Sequence, residues 1–169
     1  MSEDKKKQFC NAIDQVNNGN VDGFDAITHT DLSLLTIDTT SGENVEIQDK
    51  KTILKMFMAI GSHPGNLKVI EEKLLVDNDE LCILGYLKGT KLQTQLGLFS
   101  FDIPFKYRDT IYAKFDGEKI KRIEIYHDTF EVMRLCGRAI LRQNNQEKIR
   151  NYLLNLEKLG FISKKSVIN

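Results

Sequence analysis

Two pairs of long alternating segments constrain the fold of this chain more than any other feature. From Leu67 onward, LKVIEEKLLV and ELCILGYLKG are joined by DND, and PFKYRDTIYAKF and KIKRIEIYH are joined by DGE. Tight turns of this composition between alternating segments are hairpin signals. They predict an antiparallel sheet running through residues 67–128 and curved around the helix that precedes it. That helix opens at Asp49, carries the apolar stripe Ile53, Leu54, Phe57 and Ile60, and is stopped by Gly61 and Pro64. Further upstream, Phe9, Ala12, Ile13 and Val16 fall on one helical face that ends at the NNGN turn, with Gly19 as its C-terminal cap. VDGFDAI reads as a short second helix, DLSLLTID as a strand, and SGENVEI as a turn into a partner strand. Asp128, followed three residues later by Glu131, has the spacing of a capping box, so a helix is expected from Thr129 to about Leu141. In the last segment, QEKIRNYLLNLEKLGFI, the residues Ile149, Tyr152, Leu153 and Leu156 share a face. Helices first and long strands afterwards is the order of an α+β fold, not of a doubly wound sheet.

Bulk properties narrow the function. A length of 169 residues fits one domain. Lys plus Arg and Asp plus Glu number 24 each, so no net charge draws the chain to nucleic acid or to acidic membranes. The basic runs Lys5-Lys6-Lys7 and Lys164-Lys165 are expected to be solvated ends of the chain. No apolar stretch approaches the roughly 20 residues that span a bilayer, and MSEDKKKQFCNAIDQV offers no signal-peptide core. Cys10, Cys82 and Cys136 are odd in number and lack CxxC spacing, which argues against a disulfide framework or a zinc site. His29, His63 and His127 are scattered, so no metal is expected. The absence of GxGxxG, GxxxxGK[ST] and GxSxG leaves nucleotide and nucleophile-elbow chemistry unsupported, and no cofactor is expected. The expectation is a cytoplasmic protein.

Several stretches have a familiar wording: QVNNGNVDGFDAITHTDLSLLTID, then GYLKG, IPFKYRDTIYAKFDGEKIKRIEIYHD and FEVMRLCG. Over about residues 8–137 the chain resembles the SnoaL-like polyketide cyclases and their ketosteroid-isomerase-like and nuclear-transport-factor-two-like relatives. The resemblance implies a cone of curved antiparallel sheet wrapped around the N-terminal helices, with a pocket at its wide end. On that basis residues 1–142 form the cone domain, and residues 143–169 form a C-terminal helical extension packed on the same domain. In SnoaL-like cyclases an aspartate near the end of the last long strand acts as acid/base, and Asp128 is the nearest match by motif. A cyclase histidine on the preceding strand has no counterpart in YRDTIYAKF. Relatives of this fold also often pair through the outer face of the sheet, which implies a homodimer here.

Parity assigns the faces, because side chains alternate across a strand. Ile123, Ile125 and His127 share one face, and Tyr107, Asp109, Ile111, Ala113 and Phe115 share the matching face of the preceding strand. If Ile111 stands across from Ile125, Asp109 falls across from His127. A carboxylate there fixes the imidazole and leaves its second nitrogen free to transfer a proton. His127, Asp109 and Asp128 are therefore the candidate catalytic residues, with Asp128 explained equally well as a helix cap. Phe57, Tyr86, Tyr107, Ile111 and Ile125 are the candidate ligand-binding residues, and either tyrosine can donate to a developing oxyanion. The opposite face carries Tyr112, Tyr126, Arg122 and Glu124, a mixture of aromatic and ionic groups that suits the implied dimer interface. The expected function is a small-molecule pocket acting on a small apolar organic molecule by cofactor-free isomerisation, cyclisation or hydration. The alternative is a non-catalytic ligand-binding or protein-interaction module.

Overall fold

The first helix, α1 (Glu3–Val16), buries Phe9, Ala12, Ile13 and Val16, the stripe its 3.6-residue period requires. Its last turn closes through Asn17 N–H to the Ile13 carbonyl and Gly19 N–H to the Val16 carbonyl, with Gly19 at a φ of +78°. The helices α2 (Asp22–Ile27) and α3 (Lys50–Gly61) pack on the same core. Asp49 caps α3 by accepting from the Thr52 N–H at 3.0 Å. Where α3 ends, a Cβ on Gly61 would lie 2.0 Å from the Val16 carbonyl oxygen, so only glycine lets the ends of α1 and α3 meet.

The chain is a computed structural model that describes residues 3–39, 41–93, 100–101, 103–141, 146–147 and 150–151. It divides into two compact units, residues 1–132 and 133–169. In the first unit a six-stranded sheet follows the order β2-β1-β8-β7-β4-β3. Its strands are β1 (Thr28–Asp38), β2 (Asn44–Ile47), β3 (Lys68–Asp77), β4 (Glu80–Gly89), β7 (Phe105–Asp116) and β8 (Lys119–His127). Two short strands, β5 (Leu92–Gln93) and β6 (Ser100–Phe101), pair separately.

The run β3-β4-β7-β8 is antiparallel throughout, as the turn signals predict. Asn78 (φ +43°) and Gly117 (φ +59°) supply the left-handed positions of the DND and DGE turns. Register shifts between Glu71 and Lys73 and between Lys114 and Phe115 add local twist and bend to the sheet. One pairing goes beyond the sequence-based expectation. β1 lies parallel to β8, so the sheet is mixed, with the β1–β2 hairpin extending its β8 edge. Nothing local in DLSLLTID marks a partner that lies some ninety positions later in the chain.

The core lies between the sheet and the helices. Phe9, Phe24, Phe57, Leu32, Leu34, Ile53, Leu81, Ile83, Ile120 and Ile123 are all within 2% of complete burial. Each such side chain contributes roughly 1.5–3 kcal/mol through removal from water. The Phe24 and Phe57 rings meet at 4.5 Å.

The expectation of a solvated Lys5-Lys6-Lys7 run is corrected at Lys5. That residue is only 8% exposed. Its ammonium donates to the Gly117 carbonyl and lies 3.3 Å from Glu118, because helix periodicity turns Lys5 towards the Phe9 side of α1. Past the sheet, α4 (Thr129–Leu141) follows its predicted bounds. Gln146, Glu147, Arg150 and Asn151 are helical, and the rest of the expected 143–169 extension lies outside the described residues. No helix among the described residues is long and apolar enough to cross a membrane.

Candidate functional site

The apolar faces of β7 and β8 meet with Ile111 beside Ile125, and this register places Asp109 opposite His127. The neighbouring strands extend the row: Asp38 of β1 is the register partner of His127, and Gly85 of β4 is the partner of Asp109. Asp38, His127, Asp109 and Gly85 thus run side by side across four strands. This row lies one step beyond the buried Ile111 and Ile83, at the ends of β1 and β8 but within β4 and β7, whose pairing continues to Gly89 and Phe105.

Asp109 carries a buried carboxyl. Its Oδ1 is shielded from solvent and has no hydrogen-bond partner among the described residues. Burial pushes its carboxyl up to about 7, against a smaller lowering by a backbone hydrogen bond at Thr110. Tyr107, two residues away on the same face, is raised well above the ordinary phenol range by burial and then by the Asp109 charge. Among the described residues no hydrogen bond or ion pair joins Asp109 to His127, so the expected carboxylate–imidazole contact is not made. Side chains on adjacent strands stand about 5 Å apart and must lean together to touch. Half-buried His127 is fixed by its backbone, whose carbonyl accepts from Thr39 N–H at 2.9 Å and Thr39 Oγ1 at 3.1 Å. The Ser41 hydroxyl donates to Asp38 Oδ2 at 2.8 Å. Asp38 was invisible to sequence reading because its place beside His127 depends on the parallel β1–β8 pairing.

The other candidates separate. Asp128 Oδ1 accepts the Glu131 N–H at 3.1 Å, as an N-cap does. Ile125 lies half-buried on the inner face against the core. Phe57 and Ile111, at 2% and 3% exposure, are packed into that core. Tyr86 pairs with Arg108 and therefore stands on the face opposite Asp109. Tyr86, Lys106, Tyr107, Arg108, Asp128 and Glu131 line a cleft of about 380 Å³. A wider groove of about 560 Å³ runs along α2 and α3 past Val21, Asp25, Lys50, Leu54 and Met58. Among the described residues no cluster of His, Cys, Asp and Glu could hold a metal ion.

No protein-family model matches the sequence, and no curated protein matches it either. Solved structures do share its fold. A proposed polyketide cyclase from Acidithiobacillus ferrooxidans superposes with a TM-score of 0.63 at 16% identity, covering 82% of this chain and 98% of that one. A proposed SnoaL-like polyketide cyclase from a Jannaschia species gives 0.62 at 14% identity, over 76% and 88% of the two chains. A nuclear-transport-factor-two-like protein of unknown function from Burkholderia pseudomallei gives 0.58 at 13% identity, over 80% and 98%. The fold is therefore the SnoaL-like, nuclear-transport-factor-two-like α+β fold. At these identities the likeness extends to the fold alone.

Proposed function

We propose that this chain binds a small, largely apolar organic molecule at the row Asp38–His127–Asp109 and moves a proton on it without a cofactor, by isomerisation, cyclisation or hydration. The observation that carries this reading is the Asp109 carboxyl, which is shielded, lacks a partner at Oδ1 among the described residues and is pushed up to about 7. Near neutral pH such a group is divided between acid and carboxylate, the state in which one side chain can take a proton and return it. Tyr107 stays protonated and would donate to the negative charge that develops on the substrate oxygen. His127 would act as the second proton carrier, and the Asp128 cap would hold the junction of β8 and α4 in place. A carbon-13 titration of the Asp109 carboxyl tests the premise. The expected midpoint lies near 7, and a midpoint in the ordinary aspartate range, about 4, removes the reading. Turnover of a carbon-acid probe such as 5-nitrobenzisoxazole should rise through the same midpoint and vanish in Asp109→Asn.

A second reading has its own support. Phe57 and Ile111 are closed into the core, which favours a non-catalytic module working through its surface. The outer face fits a homodimer: Tyr126 and Arg122 both bond Glu124, and Arg122 lies 3.8 Å from Glu46. These charges satisfy one another and leave the aromatic rings to meet a second copy. A monomeric mass by light scattering across micromolar concentrations would exclude the dimer.

A further inference from the structure

On the outer face of the sheet, Lys68 is the register partner of Lys88, and Lys88 that of Lys106. Like charges directly opposite on neighbouring strands destabilise a sheet, so a row of three lysines needs a reason. Elsewhere in the sheet, on β7 and β8, cations have carboxylate partners. Lys114 lies 3.6 Å from Glu80, Lys121 3.2 Å from Asp116 and Arg122 2.7 Å from Glu124. The lysine row has no such partners: among the described residues, Lys68, Lys88, Lys106 and Arg108 make no ion pair and no side-chain hydrogen bond. Instead, Tyr86 gathers the cations. The Lys106 ammonium sits 3.5 Å from its ring centroid and the Arg108 guanidinium 5.6 Å from it. The nearby Glu72 carboxylate accepts from the Tyr86 hydroxyl at 3.2 Å and pairs with neither cation. Lys106, Arg108 and Tyr86 are walls of the 380 Å³ cleft. Asp128 and Glu131 share that cleft, but both are engaged: Asp128 caps α4, and Glu131 has its own partner.

We infer that this cleft is an anion site, in which Lys106 and Arg108 hold the oxyanion head of a small acid, a carboxylate or a phosphate monoester. The aromatic platform keeps two cations together before the anion arrives, and the anion removes the repulsion that the sheet otherwise carries. Arg108 and Asp109 are neighbours on opposite faces of β7, so this site does not depend on the proton-transfer reading.

The test uses the full chain and nitrogen-15 amide spectra. Inorganic phosphate is titrated in one arm and benzoate in the other, at constant ionic strength. Saturable shifts centred on Tyr86, Lys106 and Arg108 are expected in at least one arm, and the tighter arm identifies the head group. In the double variant K106Q/R108Q, two exposed positions where the fold should persist, binding should weaken by at least about tenfold, in line with the loss of charged hydrogen bonds. Shifts that do not saturate, or that survive unchanged in the variant, overturn the site. So does a variant that binds normally but no longer self-associates, because the row then belongs to an interface between copies.

Discussion

At the turn end of the sheet, Lys5 reaches from α1 to the Gly117 carbonyl, to Glu118 at 3.3 Å and to Asp79 at 3.8 Å, with its ammonium 5.7 Å from the Phe115 ring. Phe115 N–H also donates to the Asp79 carbonyl at 2.8 Å, tying one hairpin turn to the other. Farther along the same sheet stand Asp38, His127 and Asp109, and there a shielded carboxyl oxygen lacks a partner among the described residues. A buried cation held by a carbonyl and by carboxylates is a clamp. A shielded carboxyl with an empty acceptor position costs free energy that the fold does not recover. The contrast separates a stability device from a candidate for chemistry among residues that are equally polar.

The largest effect should come from the clamp. Lys5→Ala removes a charged donor and the apolar stem beneath it, and should lower unfolding stability by about 2–3 kcal/mol in a urea titration. Lys5→Met, which keeps the stem, should recover part of that loss. If neither substitution changes stability, the turn end is no better fastened than the Asp109 row and the contrast fails.

At Asp109 the sign reverses. Folded Asp109 keeps its proton up to about pH 7, whereas the unfolded chain releases it near 4. The folded state therefore binds the extra proton between those values. Stability from this group is full below about pH 4, falls as pH rises towards 7, and is gone above that. Asp109→Asn has no such proton to lose, so it should gain on the parent chain between pH 5 and pH 8, by about 2 kcal/mol. A pH-independent difference between the two chains would show that the carboxyl is solvated.

The smallest effect belongs to the junction between the two functions proposed for Asp128. Asp128→Ala should cost about 0.5–2 kcal/mol through the lost cap, measured by thermal unfolding. If stability is unchanged and ligand binding is lost, the cap is the lesser of its roles.

The antiparallel core was legible because each of its signals is local. Alternation set the faces of β7 and β8, DND and DGE set the turns, and matching the apolar faces set Ile111 beside Ile125 and hence Asp109 beside His127. The caps at Asp49 and Asp128 were legible for the same reason, since a side chain bonds an amide three positions away. What the sequence left open involves partners that are distant along the chain. The parallel seat of β1 brings Asp38 to His127, and a helix face near the start of the chain meets a hairpin turn more than a hundred residues later at Lys5. Tyr86 reads as one more tyrosine until pairing with Arg108 turns it away from Asp109 and places Lys106 over its ring. Periodicity and capping act within a few residues and are written in the chain. The solvation and charge of a group depend on everything folded against it, and only the tertiary structure sets those.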